Sequence, residues 1–576
     1  MLKKLKNPYL GIIGVAIVLL LPQLFTRNMI MGSDIIFHFN RFYDTAMQLK
    51  TRNIDYFIAM FGFSQSGRIV NALYGPIMAY IQGGILLLAK TWFNYQVLSN
   101  FCLYVLSGIS MFQLLRKTTH KKWYSFWLAL IFMTTFCIQY WIQRQGFTSW
   151  GVAILPWCLM PIKRMMEHKK LNWFSIGVGV AAMFQIHLFT SLQLVLIYAG
   201  FFVVCWVTAN KGERIQLLFD LLKSIALFIV LTANIIVSYF QIYSNNTLAE
   251  PFLNDDMNST AVNVGNLYWL VTPYFLLVLF ALWVAVSIGS WSKTTVTNRT
   301  AIGISLVFLL LSTTIVPWNE ILNAGVPLIR LIQFPFRFFV PFTVLLFYSL
   351  ALGMSDLEWQ TQKVVRIFAI GGLCAMLQVM WTNYQHLQYW NQKDLGNYLS
   401  LHVRLDDDRE KVRASAYSTD LDELLQLWQK STPDYIPIIG KGPNNNYRGY
   451  EAYIFESQKG FEKTISPSGD LMITWTATDT VQTDVPVFKY ADTELFLNGH
   501  QLVSGQYDLS PVGTVAVTPQ VGTNELTVKY ISPRGFLESV IITVIGWLFV
   551  LAWFMTITFW PDRGRTMKQV TLEKEI

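Results

Sequence analysis

Apolar runs recur from residue 9 to about residue 382, separated by short polar loops, and one more run lies near the end of the chain. A bilayer crossing needs roughly 20 predominantly apolar residues. On that measure the pattern predicts about twelve spans, near 9–26, 95–115, 123–142, 149–162, 172–188, 189–208, 216–241, 267–289, 300–316, 337–354, 364–382 and 536–559. The first run, GIIGVAIVLLLPQLF, follows Lys3, Lys4 and Lys6 and resembles a signal peptide in texture. No small-residue cleavage site follows it, so it reads as a retained helix.

The loops between the runs are basic: RKTTHKK at 116–122, KRMMEHKK at 163–170, NKGER at 210–214, SKTTVTNR at 292–299 and QKVVR at 362–366, with Lys3–Lys6 before them and a tail from Arg563 after. Placing all of these on the cytoplasmic side puts both termini inside. The parity then requires that YGPIMAYIQGGILLLAKTWF, Tyr74 to Phe93, does not cross. Its Gly-Pro and Gly-Gly interruptions suit an interfacial or re-entrant helix. The first external loop is therefore predicted to run from about Arg27 to Tyr95 and to carry two surface helices.

Between Asn383 and Pro533 the texture changes. DDDRE, PDYIP, GKGPNNNYRG and PSGD are polar and turn-rich, whereas LMITWTAT, TELFLNGHQLV, GTVAVTP and NELTVKYISP alternate apolar and polar residues as strands do. LNGH is a hairpin turn signal. The expected organisation is a transmembrane domain at 1–382 and an extracytoplasmic domain at 383–534. That domain has a mixed region with a helix around DLDELLQLWQK, then a β-sandwich of about ninety residues. A final anchor and cytoplasmic tail follow at 535–576.

Composition agrees: 53% of residues are hydrophobic and 14% charged, with a mean hydropathy of +0.39, which excludes an ordinary soluble domain. The net charge of +9 would suggest nucleic acid in a soluble protein, but here the basic residues cluster between spans, and no nucleic-acid partner is expected. Cys102, Cys137, Cys158, Cys205 and Cys374 all fall in apolar runs without metal-ligand spacing and read as buried small hydrophobes.

The chemistry concentrates in MGSDIIFHFNRFYD, Met31 to Asp44, directly after the first run. On a helix, Asp34, His38, Arg41, Thr45 and Gln48 form one polar stripe opposite Ile35, Phe39, Phe42, Tyr43 and Ala46. That is the pattern of an amphipathic helix lying in the interface, with Ser33 as a candidate N-cap. On pattern alone a merely solvated face explains the stripe at least as well as a site, and Asp34 would in any case complement the helix dipole.

A long external loop with an acid just after the first span resembles the membrane glycosyltransferases of the GT-C fold. The strings GSDIIFHFNR, YGPIMAYI and RLIQFPFRFF resemble bacterial multispan proteins called YfhO-like or 6-pyruvoyl-tetrahydropterin-synthase-related. The spacing of Asp34, His38 and Arg41 and the Q-F-P-aromatic-R-F string from Gln333 to Phe338 carry most of the likeness. The resemblance implies a GT-C-like bundle of about twelve spans in the plasma membrane of a bacterium. It implies transfer of a sugar from a polyprenyl-phosphate donor to a cell-surface glycan or glycolipid acceptor, such as a cell-wall or teichoic-acid polymer. Asp34 would be the general base. Arg41, Arg330 and Arg337 would be candidates to hold the departing phosphate, and His38 would bind the phosphate or position Asp34.

Each has a plainer reading. Arginines near span ends snorkel to headgroups, and Pro335 interrupts any helix shared by Arg330 and Arg337. Arg144 lacks the acid expected shortly after it, and His187 reads as a satisfied polar group of the bundle. Glu250, Asp255 and Asp256 could join Asp34 around a divalent cation, but paired acids in a loop do not make a cation site, so no metal or other cofactor is assigned. Trp475, Tyr490, Phe496 and Tyr507 could stack on sugar, with core packing the commoner fate of strand aromatics. The rival functions are a glycolipid flippase or transporter, which the scarcity of mid-span ionisable residues disfavours, and a non-catalytic scaffold of the same fold.

Overall fold

The computed structural model describes residues 7–252, 254–359, 361–396 and 401–559. Lys3, Lys4, Lys6 and the tail from Arg563 lie outside the described residues. Among the described residues, eight helices are long and apolar enough to cross a membrane: Pro8–Thr26, Trp92–Thr119, Lys122–Arg144, Leu188–Thr208, Lys211–Asn245, Pro335–Asp356, Gln362–Asn391 and Phe536–Thr556. Their apolar outer faces mark the chain as membrane-embedded. The other predicted spans are also helical. Trp173–Ile186, Tyr274–Gly289 and Val296–Leu311 are shorter, and Thr148–His168 ends in the polar KRMMEH.

Local chemistry sets the helix ends. Asn210 and Glu213 form a reciprocal capping box that starts Lys211–Asn245. Helix 122–144 breaks at Thr134 and Thr135, whose hydroxyls donate to Ile131 O and Phe132 O at 2.7 Å each. Its second half restarts with Phe136 N bonded to Thr272 O. Cys137, Cys158 and Cys205 are buried as expected, but Cys102 is only half-buried and Cys374 is exposed, because it lies on the outer face of a peripheral helix.

Residues 74–93 form the helix Pro76–Ala89, only 14 residues long. Gly75, at φ +62°, presses on Ile186 O, where a Cβ would come within 2.6 Å. Past the other end, Trp92 Nε1 donates to Leu421 O and Phe93 N to Ala416 O. Leu73, just before it, packs with Tyr435 and Ile436. Residues flanking both ends of the helix thus neighbour the 401–534 domain, and that side of the bundle is hereafter the domain end.

The domain does not begin at the expected 383, because the helix Gln362–Gln388 runs on through that position and a turn follows at Tyr389–Asn391; it joins a small mixed unit to a β-sandwich. In the mixed unit the predicted helix spans Leu421–Leu427, and Trp428–Lys430 continues as a strand antiparallel to Val403–Leu405. The sandwich occupies 462–530. One antiparallel sheet runs Glu462–Ile465, Leu471–Ala477, Gly522–Tyr530, Thr493–Leu497, His500–Gln501; the other runs Thr483–Phe488, Thr514–Val517, Tyr507–Leu509. Alternate residues of both sheets, among them Leu471, Ile473, Trp475, Val485, Val515 and Leu526, meet in one core. Asn498 and Gly499 form the hairpin turn at positive φ. Trp475 and Tyr490 are buried, whereas Phe496 and Tyr507 are half-buried.

Candidate functional site

Asp34 is held by its backbone. A Gln96 amide brackets Ile30, accepting from its N–H at 3.1 Å and donating to its carbonyl at 2.8 Å. Gly32 N then donates to Gln145 Oε1 at 2.7 Å, and Asp34 N to Arg144 O at 3.4 Å. Gly32 is required here: a Cβ would fall 2.1 Å from Gln145 Oε1 and 2.5 Å from Arg144 Cα. Asp34, not Ser33, occupies the N-cap position of the helix Ile35–Thr51, and its carboxylate makes no capping bond. That carboxylate is 46% exposed.

The helix itself does not lie open on a surface. His38, Arg41, Thr45 and Gln48 are as buried as Ile35, Phe39 and Phe42, because the Pro76–Ala89 helix and the 55–74 loop cover the polar stripe. Thr45 Oγ1 donates to Ala79 O at 2.8 Å, and Gly83 abuts Thr45 and Ala46. Arg41 Nε donates to Asn71 Oδ1 at 3.0 Å, Nη1 meets His38 Nδ1 at 3.3 Å and Nη2 donates to Tyr74 O. The guanidinium sits 4.4 Å from the Tyr74 ring centroid and 5.1 Å from that of Phe147. Burial pushes Arg41 down to about 10, still a cation, and burial followed by the Arg41 charge holds His38 well below its usual range. The expected outward stripe is therefore corrected: His38 and Arg41 are internal, and the Arg41 guanidinium is engaged by Asn71, His38 and Tyr74.

What faces Asp34 comes from the 401–534 domain. Lys430 Nζ lies 3.8 Å from Asp34 Oδ1 and donates to Ser33 O. Asp434, four residues on, is half-buried. Burial pushes its carboxyl up, Arg68 and Lys430 pull it down, and Asp34 pushes it up again. Arg68 fixes this segment by donating to Thr432 Oγ1 at 2.9 Å and Asp434 O at 2.5 Å. Tyr447 is within electrostatic reach of both acids.

Arg337 lies on another segment of the bundle. The helix Pro327–Ile332 stops at Gln333, at φ +59°, and a turn at Pro335–Phe338 follows. Arg337 Nη1 donates to Gln333 Oε1 at 2.9 Å, while its Nε N–H is buried without a partner among the described residues. The charges of Arg337 and Asp34 both reach Tyr74 and Tyr140. Gly146 seats Tyr140, since a Cβ there would meet its ring at 1.9 Å.

Arg330 is not part of this group. It is exposed and pairs with Glu250 at 3.8 Å. Arg144 contributes its carbonyl beneath Asp34 and its charge near Tyr140. His187 caps the Leu188–Thr208 helix through Thr190, as a satisfied polar group does. Asp256 accepts from Ser259 N and Asn319 Nδ2. Among the described residues no three His, Cys, Asp or Glu side chains gather as a metal site; the ammonium of Lys430 is the cation beside Asp34. Lys430 and Asp434 were missed from the sequence. PDYIP reads only as a turn, and nothing local tells that it folds back on residue 34. In comparisons with known proteins, no family model matches the chain and no curated protein matches it.

Proposed function

We propose that the chain is a GT-C-type glycosyltransferase of the bacterial plasma membrane, with about twelve spans, both termini cytoplasmic and the 401–534 domain outside. It moves a sugar from a polyprenyl-phosphate donor to a glycan or glycolipid acceptor at the outer face. One observation carries this reading: a half-exposed carboxylate, held by its backbone at the start of the second helix, pairs across the seam between bundle and domain with Lys430 of the domain and shares with Arg337 an electrostatic influence on Tyr74 and Tyr140.

In this reading Asp34 takes the proton of the acceptor hydroxyl as its oxygen bonds to the anomeric carbon. The bond from that carbon to the phosphate oxygen breaks, and the electron pair leaves on the polyprenyl phosphate. Lys430 and Arg337 meet the developing charge, Arg337 with the N–H that has no partner among the described residues. His38 and Arg41 support the lip from within: buried Arg41 fixes Tyr74 and adds positive potential without touching substrate. Arg330 stays a surface residue.

A scaffold reading has one observation in its favour, the ion pair that already occupies Asp34. The two separate on turnover. Purified protein supplied with a native lipid extract should consume a polyprenyl-phosphate sugar, followed by mass spectrometry. An unchanged lipid pool, with protein intact, would sink the enzyme reading.

A further inference from the structure

At the domain end, the Pro8–Thr26 and Trp92–Thr119 helices leave an open apolar groove between them of about 250 Å³. Ile17 and Leu24 line one wall and Phe93, Val97 and Phe101 the other, with Asn94 at the rim. At 1.5 Å per residue, Ile17–Leu24 and Phe93–Phe101 each run roughly 10–12 Å along the helices, about a third of a bilayer core. The volume is below the roughly 300–1,000 Å³ of compact-ligand sites and suits part of one extended hydrocarbon chain.

The mouth is cationic. The exposed Arg27 guanidinium lies 5.8 Å from the Phe93 ring centroid and 5.9 Å from that of Tyr417. No carboxylate among the described residues is within 4.0 Å of it. Asn94 Nδ2 donates to Ala89 O at 3.2 Å, which brings the exposed Lys90 to the same rim. In a bilayer a chain entering the groove only exchanges lipid for protein, so the apolar walls give no headgroup preference. The cations do, because a guanidinium grips a phosphate through two donors.

We propose that this groove binds one chain of an anionic glycerophospholipid, with its phosphate on Arg27 and Lys90. None of its lining residues belongs to the Asp34 seam, so the site is independent of the reaction proposed above.

The test uses the full-length protein in mixed phosphatidylcholine–phosphatidylglycerol vesicles, then gentle extraction and native mass spectrometry. The ratio of retained phosphatidylglycerol to phosphatidylcholine should exceed that of an equimolar vesicle by roughly tenfold. Arg27→Gln with Lys90→Gln should reduce that enrichment to parity. Val97→Trp, which fills the groove, should remove the bound lipid altogether, and added inorganic phosphate should not displace it. Equal retention of both lipids by wild type, or full retention by the double variant or by Val97→Trp, overturns the site. Displacement by inorganic phosphate would identify a free-anion site instead and overturn the lipid assignment.

Discussion

Lys463 joins the sandwich to the lip of the bundle with no counter-ion among the described residues. Its Nζ donates to Ser64 O at 2.8 Å and to Pro486 O at 2.7 Å. Ser64 lies in a turn where Phe63, Ser64 and Gln65 all have positive φ, and Phe488 N donates to Ser66 O alongside. Burial pushes the amine down from 10.5 to about 7. Between those values the folded chain holds one proton fewer than the unfolded chain, so stability rises with pH across that window and is flat below it. Going from about pH 7 to pH 8.5 would add at most about 2 kcal/mol at ~1.4 kcal/mol per unit. The partly open stem lets water screen the amine and brings the expected gain to about 1 kcal/mol, or roughly fivefold slower opening of the seam. Hydrogen exchange at Phe488, read as the ratio of wild type to Lys463→Met at each pH, isolates this term from the intrinsic exchange rate. The variant should open more readily at both pH values, because two carbonyls lose their donor, and should lack the rise. A variant that keeps the full pH response would show that another group titrates, and the reasoning about Lys463 would be wrong.

Asp44 accepts from Met60 N, Phe61 N and Gly62 N through Oδ1 and from Gln48 Nε2 through Oδ2. Asp44→Ala orphans those amides and should cost about 3 kcal/mol or more in thermal unfolding, with Asp44→Asn milder. Gly83→Ala should cost about 1–3 kcal/mol by the same measurement, since its methyl would meet Thr45 Oγ1 at 2.5 Å and Ala46 N at 2.8 Å. Arg337→Ala should lower sugar transfer by roughly 100-fold in initial-rate assays. Arg330→Ala, losing only an exposed ion pair, should change both rate and stability little. Equal losses at the two arginines would contradict the assignment of Arg337 to the seam.

The apolar runs were legible because each is a local property, and every predicted span is largely helical, with 123–142 and 267–289 each divided between two helices. The count of crossings was not, since helices such as Trp173–Ile186 and Val296–Leu311 are shorter than their hydrophobic flanks suggested. Strand alternation and the Asn498–Gly499 turn likewise named the sandwich in advance, though its strands end within 462–530 rather than filling about ninety residues. Asp34 stood out by its place after the first helix. The polar stripe misled because periodicity gives the sides of a helix but not what covers them, and here the Pro76–Ala89 helix covers the polar one. Lys430 and Asp434 were invisible because the pairing that brings them to residue 34 is some four hundred residues long and leaves no local trace.

The most direct test of the central claim compares wild type with Asp34→Asn, purified in native lipid, for bound donor and for turnover. Both should retain a polyprenyl-phosphate sugar detectable by mass spectrometry, because Lys430 and Arg337 remain, and only wild type should transfer it to acceptor. Transfer that continues in Asp34→Asn would contradict the account, and so would the absence of any phosphoglycolipid on either protein.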